Sequence, residues 1–143
     1  MSSNDKRDPD VALIARGVMR LARRLRVEAS ASEVSGAALG LLATLHREGP
    51  MSGVALADAE GLKPQSLTRL LAALEAGHMI VRAPDPGDRR SLIVSLTDAG
   101  RQGLARAMRE RRRWLAEALR DRLDANQRAV MAEAAELMLR LAS

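Results

Sequence analysis

Side chains of the types that can bond phosphates and base edges are concentrated in two short stretches of this 143-residue chain. The first stretch is rich in amide, hydroxyl and cationic groups, which donate and accept hydrogen bonds in the patterns that nucleic acids present. Its candidate binding residues are Lys63, Gln65, Ser66, Thr68 and Arg69. Those of the second stretch are Arg82, Asp88, Arg89 and Arg90. Arginine suits this chemistry because its planar guanidinium can make two hydrogen bonds to a phosphate or a guanine.

The second stretch is typical of a β-hairpin tip. Asp-Pro-Gly at positions 85–87 are turn formers, because proline presets φ, glycine accepts positive φ and aspartate bonds the backbone downstream. Residues 91–97 alternate in polarity, so one face should be buried. The residues expected on that face are Leu92, Val94 and Leu96. A shorter apolar run at 79–83 can pair with this strand. The alternative is an exposed loop whose charges serve only to keep it solvated.

Two helices joined by a glycine turn are predicted just before the hairpin. Ser52 is a suitable N-cap for a helix over residues 53–59, which Gly61 ends. Pro64 suits the first position of the next helix, where an amide hydrogen would lack a partner. Leucines at three- and four-residue spacing turn one face of that helix inward. They are Leu67, Leu70, Leu71 and Leu74. The first polar stretch then points outward, which predicts a helix-turn-helix, and the hairpin makes it a winged one.

The run at positions 63–101 resembles the MarR family of bacterial transcription regulators. The motifs that carry the resemblance are Asp-x-Arg at 88–90 and Leu-Thr-x-x-Gly at 96–100. The resemblance implies that Arg90 enters the minor groove of DNA and that Asp88 helps to hold the hairpin tip.

One position departs from the family pattern. The family usually has glycine where His78 stands, and here the glycine is one place earlier, at Gly77. Either Gly77 shifts the end of the helix, or His78 adopts the left-handed conformation.

Long helices with apolar stripes are predicted at both ends of the chain. A small winged unit with its own leucine core cannot cover these stripes, and the resemblance implies that they pair with a second copy. The expected fold class is therefore mainly α with a small β-hairpin wing, a winged helix-turn-helix with N- and C-terminal dimerisation helices. Within the single unit 1–143, we expect the DNA-binding lobe at 36–97 and the dimerisation helices at 8–30 and 98–143. The alternative is packing within one chain as a helical bundle.

Capping residues mark where these helices begin. Thr97 is an expected N-cap for a helix that runs to about residue 122. Asp124 with Gln127 forms a candidate capping box for the last helix. A break is predicted at residues 30–35, between the first two helices.

Composition narrows the class of protein. A hydrophobic content of 47% excludes a disordered chain, and a net charge of +5 favours a polyanionic partner such as double-stranded DNA. Cysteine is absent, which excludes disulfides and thiol-based sensing by this chain. Because the sequence shows neither a long apolar run nor a basic-then-apolar leader, we expect a cytoplasmic protein without membrane contact.

Catalytic motifs are not found. His46 and His78 lack the His-Glu-x-x-His spacing of metal sites, and no nucleophile elbow or phosphate-binding loop occurs. We therefore expect no enzyme activity, no metal and no cofactor.

The resemblance also implies a cleft between the dimer helices and each lobe, where small molecules weaken DNA binding in many relatives. Our guesses for its effector-binding lining are Arg16, Arg20, Leu45, Met108 and Trp114. Trp114 has a second interpretation, as a core anchor between long helices. The arginine-rich run at 109–113 is either a second phosphate track or a solvated face.

These features predict a homodimeric, sequence-specific regulator, expected to be a repressor, that binds a near-palindromic operator and is released by a small-molecule effector. The alternative is a helical protein–protein interaction module that uses the winged-helix fold without sequence-specific DNA binding. The two differ in their affinity for duplex DNA, which falls steeply with salt for a DNA-binding protein.

Overall fold

The computed structural model describes residues 8–29 and 34–143, which form six helices and three strands. The helices are α1 (Pro9–Ala29), α2 (Gly36–Glu48), α3 (Gly53–Glu60), α4 (Pro64–Ala76), α5 (Asp98–Arg122) and α6 (Ala125–Leu141). The strands are β1 (Met51–Ser52), β2 (Ile80–Pro84) and β3 (Leu92–Leu96). This architecture confirms the expected mainly α fold with a winged helix-turn-helix and a small β-hairpin.

The helices begin at the predicted caps. The hydroxyl of Ser52 accepts a hydrogen bond from the amide of Ala55 at 3.2 Å, and Asp124 forms the capping box with Gln127. Of the predicted break at 30–35, residues 30–33 lie outside the described part of the chain. Ser35 is the N-cap of α2.

The sheet is antiparallel with strand order β1-β3-β2. Its β2–β3 hairpin was predicted, with Ile80 opposite Leu96. Strand β1 was not, because a two-residue strand is too short to show alternation. Met51 pairs with Val94 and so attaches the entrance of α3 to the hairpin.

The core lies between α2, α3, α4 and the sheet. Its most deeply buried large side chains are Leu41, Leu42, Leu56, Ile80 and Val94. The predicted inward leucines of α4 are buried or half-buried. Residues 36–97, here called the winged lobe, therefore supply most of their own apolar packing.

The prediction for β3 is only partly right. Val94 is 1% exposed, whereas Leu92 is 47% exposed. The hairpin extends past the helices at the Leu92 end, so the alternating pattern has no core to face there.

The turn after α4 shows which of Gly77 and His78 adapts to the absence of glycine at position 78. His78 adopts the left-handed conformation with φ 57°, while Gly77 has φ −82°. The amide of His78 donates to Glu75 O at 3.0 Å, and that of Met79 donates to Leu74 O at 2.9 Å. These two bonds form a Schellman motif with a histidine in the place where glycine is usual.

The start of α5 packs directly on this turn. Thr97 Oγ1 accepts from the amide of Gly100 at 3.0 Å and donates to His78 O at 2.6 Å. A Cβ at Gly100 would lie 2.1 Å from Met79 O, so only glycine fits without a shift. The Leu-Thr-x-x-Gly motif thus joins α5 to the end of α4.

Helices α1 and α6 each expose several large apolar side chains. No residue of α6 is buried, and on α1 Val11 and Ile14 are 46% and 55% exposed. Between α1, α5 and α6 lies an apolar groove of about 700 Å³. It is lined mainly by aliphatic side chains, including Val18, Leu21, Leu115, Met131 and Met138.

Candidate nucleic-acid interface

The N-terminal turn of α4 presents unpaired polar side chains. Lys63 is its N-cap residue but makes no side-chain capping bond, and Pro64 follows it. Within the described part of the chain, Gln65, Ser66 and Arg69 are exposed and have no side-chain hydrogen bond or ion pair. Their hydrogen-bonding groups are therefore available to a ligand.

Thr68 is on the same face, but its hydroxyl already makes a hydrogen bond within the helix. Its hydroxyl donates to Pro64 O at 2.9 Å. Since the hydroxyl hydrogen is used within the helix, Thr68 offers a partner only an acceptor oxygen and a methyl group.

The hairpin tip is built by two aspartates. Asp85 Oδ1 accepts from the amide of Gly87 at 2.9 Å, and Asp88 Oδ1 accepts from the amide of Arg90 at 3.0 Å. The amide of Asp85 donates to Ser91 O at 2.9 Å and closes the loop. These bonds fix the backbone, so the aspartates shape the tip that carries the arginines.

Arg89 and Arg90 project from this tip. Both are exposed, and neither forms an ion pair with any residue that the structure describes. The guanidinium groups of both residues are therefore available to pair with an anion.

A recess of about 460 Å³ separates α4 from the hairpin. Thr68 lines it from α4, and Arg82, Arg90 and Leu92 line it from the hairpin. The two polar stretches, which are separate in sequence, thus each contribute to one concave surface: Thr68 from the first, and Arg82 and Arg90 from the second.

Arg82 is in a different situation from the tip arginines. Its Nε donates to Glu75 Oε2 at 3.0 Å, and its Nη2 also donates to that oxygen. These hydrogen bonds from the guanidinium hold the pKa of Glu75 below its ordinary value, and the carboxylate raises the pKa of Arg82. Of the nine predicted DNA-binding residues, Arg82 is therefore the one with a guanidinium already paired.

Two residues of this surface were missed by the sequence analysis. Glu75 partners Arg82, and Val54 lines the recess with 75% of its surface exposed. Glu75 could have been suspected as an acidic residue at the end of α4 ahead of a basic strand. Val54 gives no such signal, because an apolar residue in a short helix is usually assigned to the core.

The residues predicted to bind an effector are not brought together at either cavity described above. Leu45 is 3% exposed in the core of the winged lobe, and Met108 packs on that core. Trp114 is half-buried, with the Arg24 guanidinium 5.4 Å from its ring centroid. Arg16 and Arg20 are exposed on α1.

Other classes of site are not seen in the described ranges. No group of three or more His, Asp or Glu side chains there is arranged to hold a metal ion. None of the described helices is both long and apolar enough to cross a membrane.

A helix-turn-helix with an unpaired polar N-terminal turn, beside a hairpin with exposed arginines, defines the winged-helix class of nucleic-acid-binding proteins. Comparison with known proteins agrees. The MarR family model matches residues 35–92. An uncharacterized HTH-type transcriptional regulator of Mycobacterium bovis, Mb0904, is 42% identical over 124 residues, which is 87% of this chain and 86% of that protein.

Solved structures show the same fold. The crystal structure of a protein described as a putative transcriptional regulator from Pseudomonas aeruginosa matches with a TM-score of 0.78 and 36% identity, over 92% of this chain and 91% of that one. A mutant MarR from E. coli, in complex with operator DNA, matches with a TM-score of 0.69 and 22% identity, over 97% and 99% of the two chains.

The chain belongs to the MarR family and is a transcriptional regulator, as the resemblance implied. This membership also confirms that it is not an enzyme.

Proposed function

We propose that this protein is a homodimeric repressor that binds a near-palindromic operator through α4 and the hairpin. The observation that carries the proposal is the recess, which Thr68 of α4 lines on one side and Arg90 of the hairpin tip on the other. A recess between the two elements lets the helix enter the major groove while the hairpin lies over the adjacent minor groove. The E. coli MarR complex, which shares the fold, supports DNA as the ligand.

Specificity is assigned to α4 and much of the affinity to charge. Gln65, Ser66 and Arg69 have free groups that match base edges or phosphates. Lys63, Arg89 and Arg90 neutralise phosphates, and Arg90 is the candidate for the minor groove. Asp88 acts indirectly, through the shape of the tip.

The dimer is proposed because no residue of α6 is buried by the part of the chain that the structure describes. This 17-residue helix has no buried residue, whereas helices in proteins gain most of their stability from tertiary packing of one face. A second copy that fills the groove between α1, α5 and α6 would cover these side chains. The interface would then bury on the order of 2,000 Å² of surface, as obligate dimers do. In this arrangement, residues 36–97 bind DNA while residues 8–30 and 98–143 form the dimer.

The two-fold symmetry of the proposed dimer then determines the spacing of the two half-sites in the operator. Recognition helices about 34–36 Å apart contact half-sites one helical turn apart. A dimer bound across a promoter excludes other proteins from it, which favours repression. A regulator of this kind works on the chromosome, so we place it in the bacterial cytoplasm.

Release by a small molecule is the remaining part of the proposal. Arg111 Nε is buried without a hydrogen-bond partner in the described residues, one turn of α5 from Trp114. An anionic effector bound between α1 and α5 could pair with it. Release requires that the effector prefer a dimer geometry in which the recognition helices no longer match the operator.

The test begins with selection of bound sequences from random DNA duplexes. On the best duplex, Arg90→Ala should weaken binding by about 1–3 kcal/mol while the dimer stays intact. Arg140→Ala, which removes an exposed arginine from α6, is the matched control and should bind like the wild type.

Unchanged affinity of Arg90→Ala would remove the hairpin from the mechanism. Failure of the wild type to bind any duplex, even in dilute salt, would leave the protein-interaction alternative. Compounds that release the selected duplex would identify the effector, and their binding site would test the predicted lining residues.

A further inference from the structure

The Glu75–Arg82 pair links the recognition helix to the hairpin. Glu75 is in the last turn of α4, and Arg82 is at the centre of β2, opposite Val94. Their side chains are 40% and 29% exposed, respectively. In the described ranges, this is the side-chain hydrogen-bonded contact that joins the body of α4 to the hairpin.

We propose that Glu75 is a positioning residue, which holds the hairpin at a fixed angle to α4 through Arg82, and that Arg82 serves this link rather than contacting DNA. The proposal rests on the proposed function, because the angle matters only if both elements enter grooves of one duplex. It changes the role of one of the predicted DNA-binding residues.

The geometry favours this role over a phosphate contact. Two of the guanidinium nitrogens of Arg82 are directed at one carboxylate oxygen, whereas Arg89 and Arg90 have no such partner. A phosphate that approached Arg82 would also approach the carboxylate of Glu75, and like charges repel. Asp88 is also near the tip arginines, but its carboxylate bonds a backbone amide and not a guanidinium.

The Glu75–Arg82 contact is needed because the remaining contacts hold only the base of the hairpin. Its base is fixed by Ile80 in the core and by the bond from Thr97 to His78 O. Its outer part is exposed, as Leu92 shows. Arg82 lies between the fixed base and the tip, so a contact at Arg82 limits how far the tip can swing.

The two roles predict opposite effects of Glu75→Gln. If Arg82 contacts DNA, loss of the carboxylate frees a cation, and binding becomes tighter. If Arg82 holds the hairpin, loss of the carboxylate lets the tip move, and binding becomes weaker. The conservative change keeps the size of the side chain, so the fold should survive.

The experiment measures operator affinity over a range of salt concentrations for Glu75→Gln, Arg82→Gln and the double variant. We expect each single variant to bind about threefold to tenfold more weakly, with the double variant no worse than either. The slope of log affinity against log salt should stay that of the wild type, because no phosphate contact is lost. Glu117→Gln, which breaks the exposed pair with Arg113 on α5, is the matched control and should change nothing.

A second measurement does not need DNA. Since the natural sequence has no cysteine, Ala59→Cys on α3 and Gly87→Cys at the tip allow two spin labels to be placed uniquely. Labelled chains diluted with unlabelled ones should show one narrow distance, and Glu75→Gln should broaden it. Glu117→Gln should leave it narrow.

Tighter binding by Glu75→Gln, or a salt slope for Arg82→Gln that falls by about 0.9 for each hairpin, would overturn the proposal and make Arg82 a phosphate contact. An unchanged distance distribution would overturn it as well. If the wild type binds no duplex, the proposed function fails, and the distance distribution still decides whether Glu75 holds the hairpin.

Discussion

The winged lobe and the helices at the two ends of the chain satisfy their apolar side chains in different ways. In the lobe, Leu41, Leu42 and Leu56 are completely buried within one chain. In α6, Leu137 and Leu139 are 48% and 71% exposed, although the helix is as regular as any other. Regular secondary structure therefore does not indicate that an element has found its packing partner.

The two regions therefore have different roles. A lobe with its own core can keep α4 and the hairpin in register whether or not another subunit is present. In the proposed dimer, the end helices pack on a second copy, and the spacing between the two lobes is then a property of the dimer. Regulation can then act on that spacing without unfolding the DNA-binding surface.

The variant with the largest expected effect tests whether the end helices pack on a second copy. Met138→Glu places a charge in the apolar groove, where Met138 is 40% exposed in a single chain. Burial of this charge against a second copy should cost about 4 kcal/mol of dimerisation free energy. Sedimentation equilibrium should show monomers at concentrations where the wild type is a dimer.

Ala129→Glu is the control for this variant, since it adds the same charge to α6 outside the groove. It should remain a dimer. Dimers of Met138→Glu at wild-type concentrations would show that the groove is not the interface.

Leu42→Ala tests the other region. Leu42 is 0% exposed, so its truncation leaves a cavity in the lobe and should lower the free energy of unfolding by about 3 kcal/mol. The loss should appear in urea denaturation followed by circular dichroism. Val54→Ala, which truncates a side chain that is 75% exposed in the lobe, should lose little, and equal losses in the two variants would contradict the placement of Leu42 in the core.

Gly100→Ala acts at the boundary between the two regions. The new Cβ would overlap Met79 O, and relief of this overlap must move α5 away from the end of α4. We expect a loss of about 2 kcal/mol in thermal or urea denaturation. Gly53→Ala is the control, because its Cβ would meet only Leu67 Cδ2 at 3.7 Å; if Gly100→Ala is as stable as Gly53→Ala, the close contact does not fix this boundary.

The smallest effect is a gain in stability. His78→Gly removes the cost of a left-handed side-chain-bearing residue and should raise the free energy of unfolding by about 1 kcal/mol. His78→Ala keeps that cost and should show no gain. A gain of the same size in both variants would assign it to loss of the imidazole instead.

Much of the fold could be predicted because its signals are local. Ser52, Thr97 and Asp124 cap helices where their side chains reach the next amides, and Pro64 opens α4 because its ring suits the first turn. These bonds span three or four residues, so neighbours in sequence are enough to specify them.

The candidate site was predicted only in part. The arginines of the tip were found from composition and turn chemistry, and the family motif drew attention to Asp88. The pairing of Arg82 with Glu75 was missed, because helix and strand must first pack before a carboxylate seven residues away meets the guanidinium.

Sequence patterns alone were thus sufficient for the order of helices, their caps, the turn at Gly61 and the identity of the polar groups. Tertiary packing decided which of those groups remain free, as for Arg90, and which are used internally, as for Arg82. It also selected His78 over Gly77 for the left-handed turn. The physical reason is distance: local preferences extend over one helical turn, whereas burial and ion pairing depend on segments that meet only after folding.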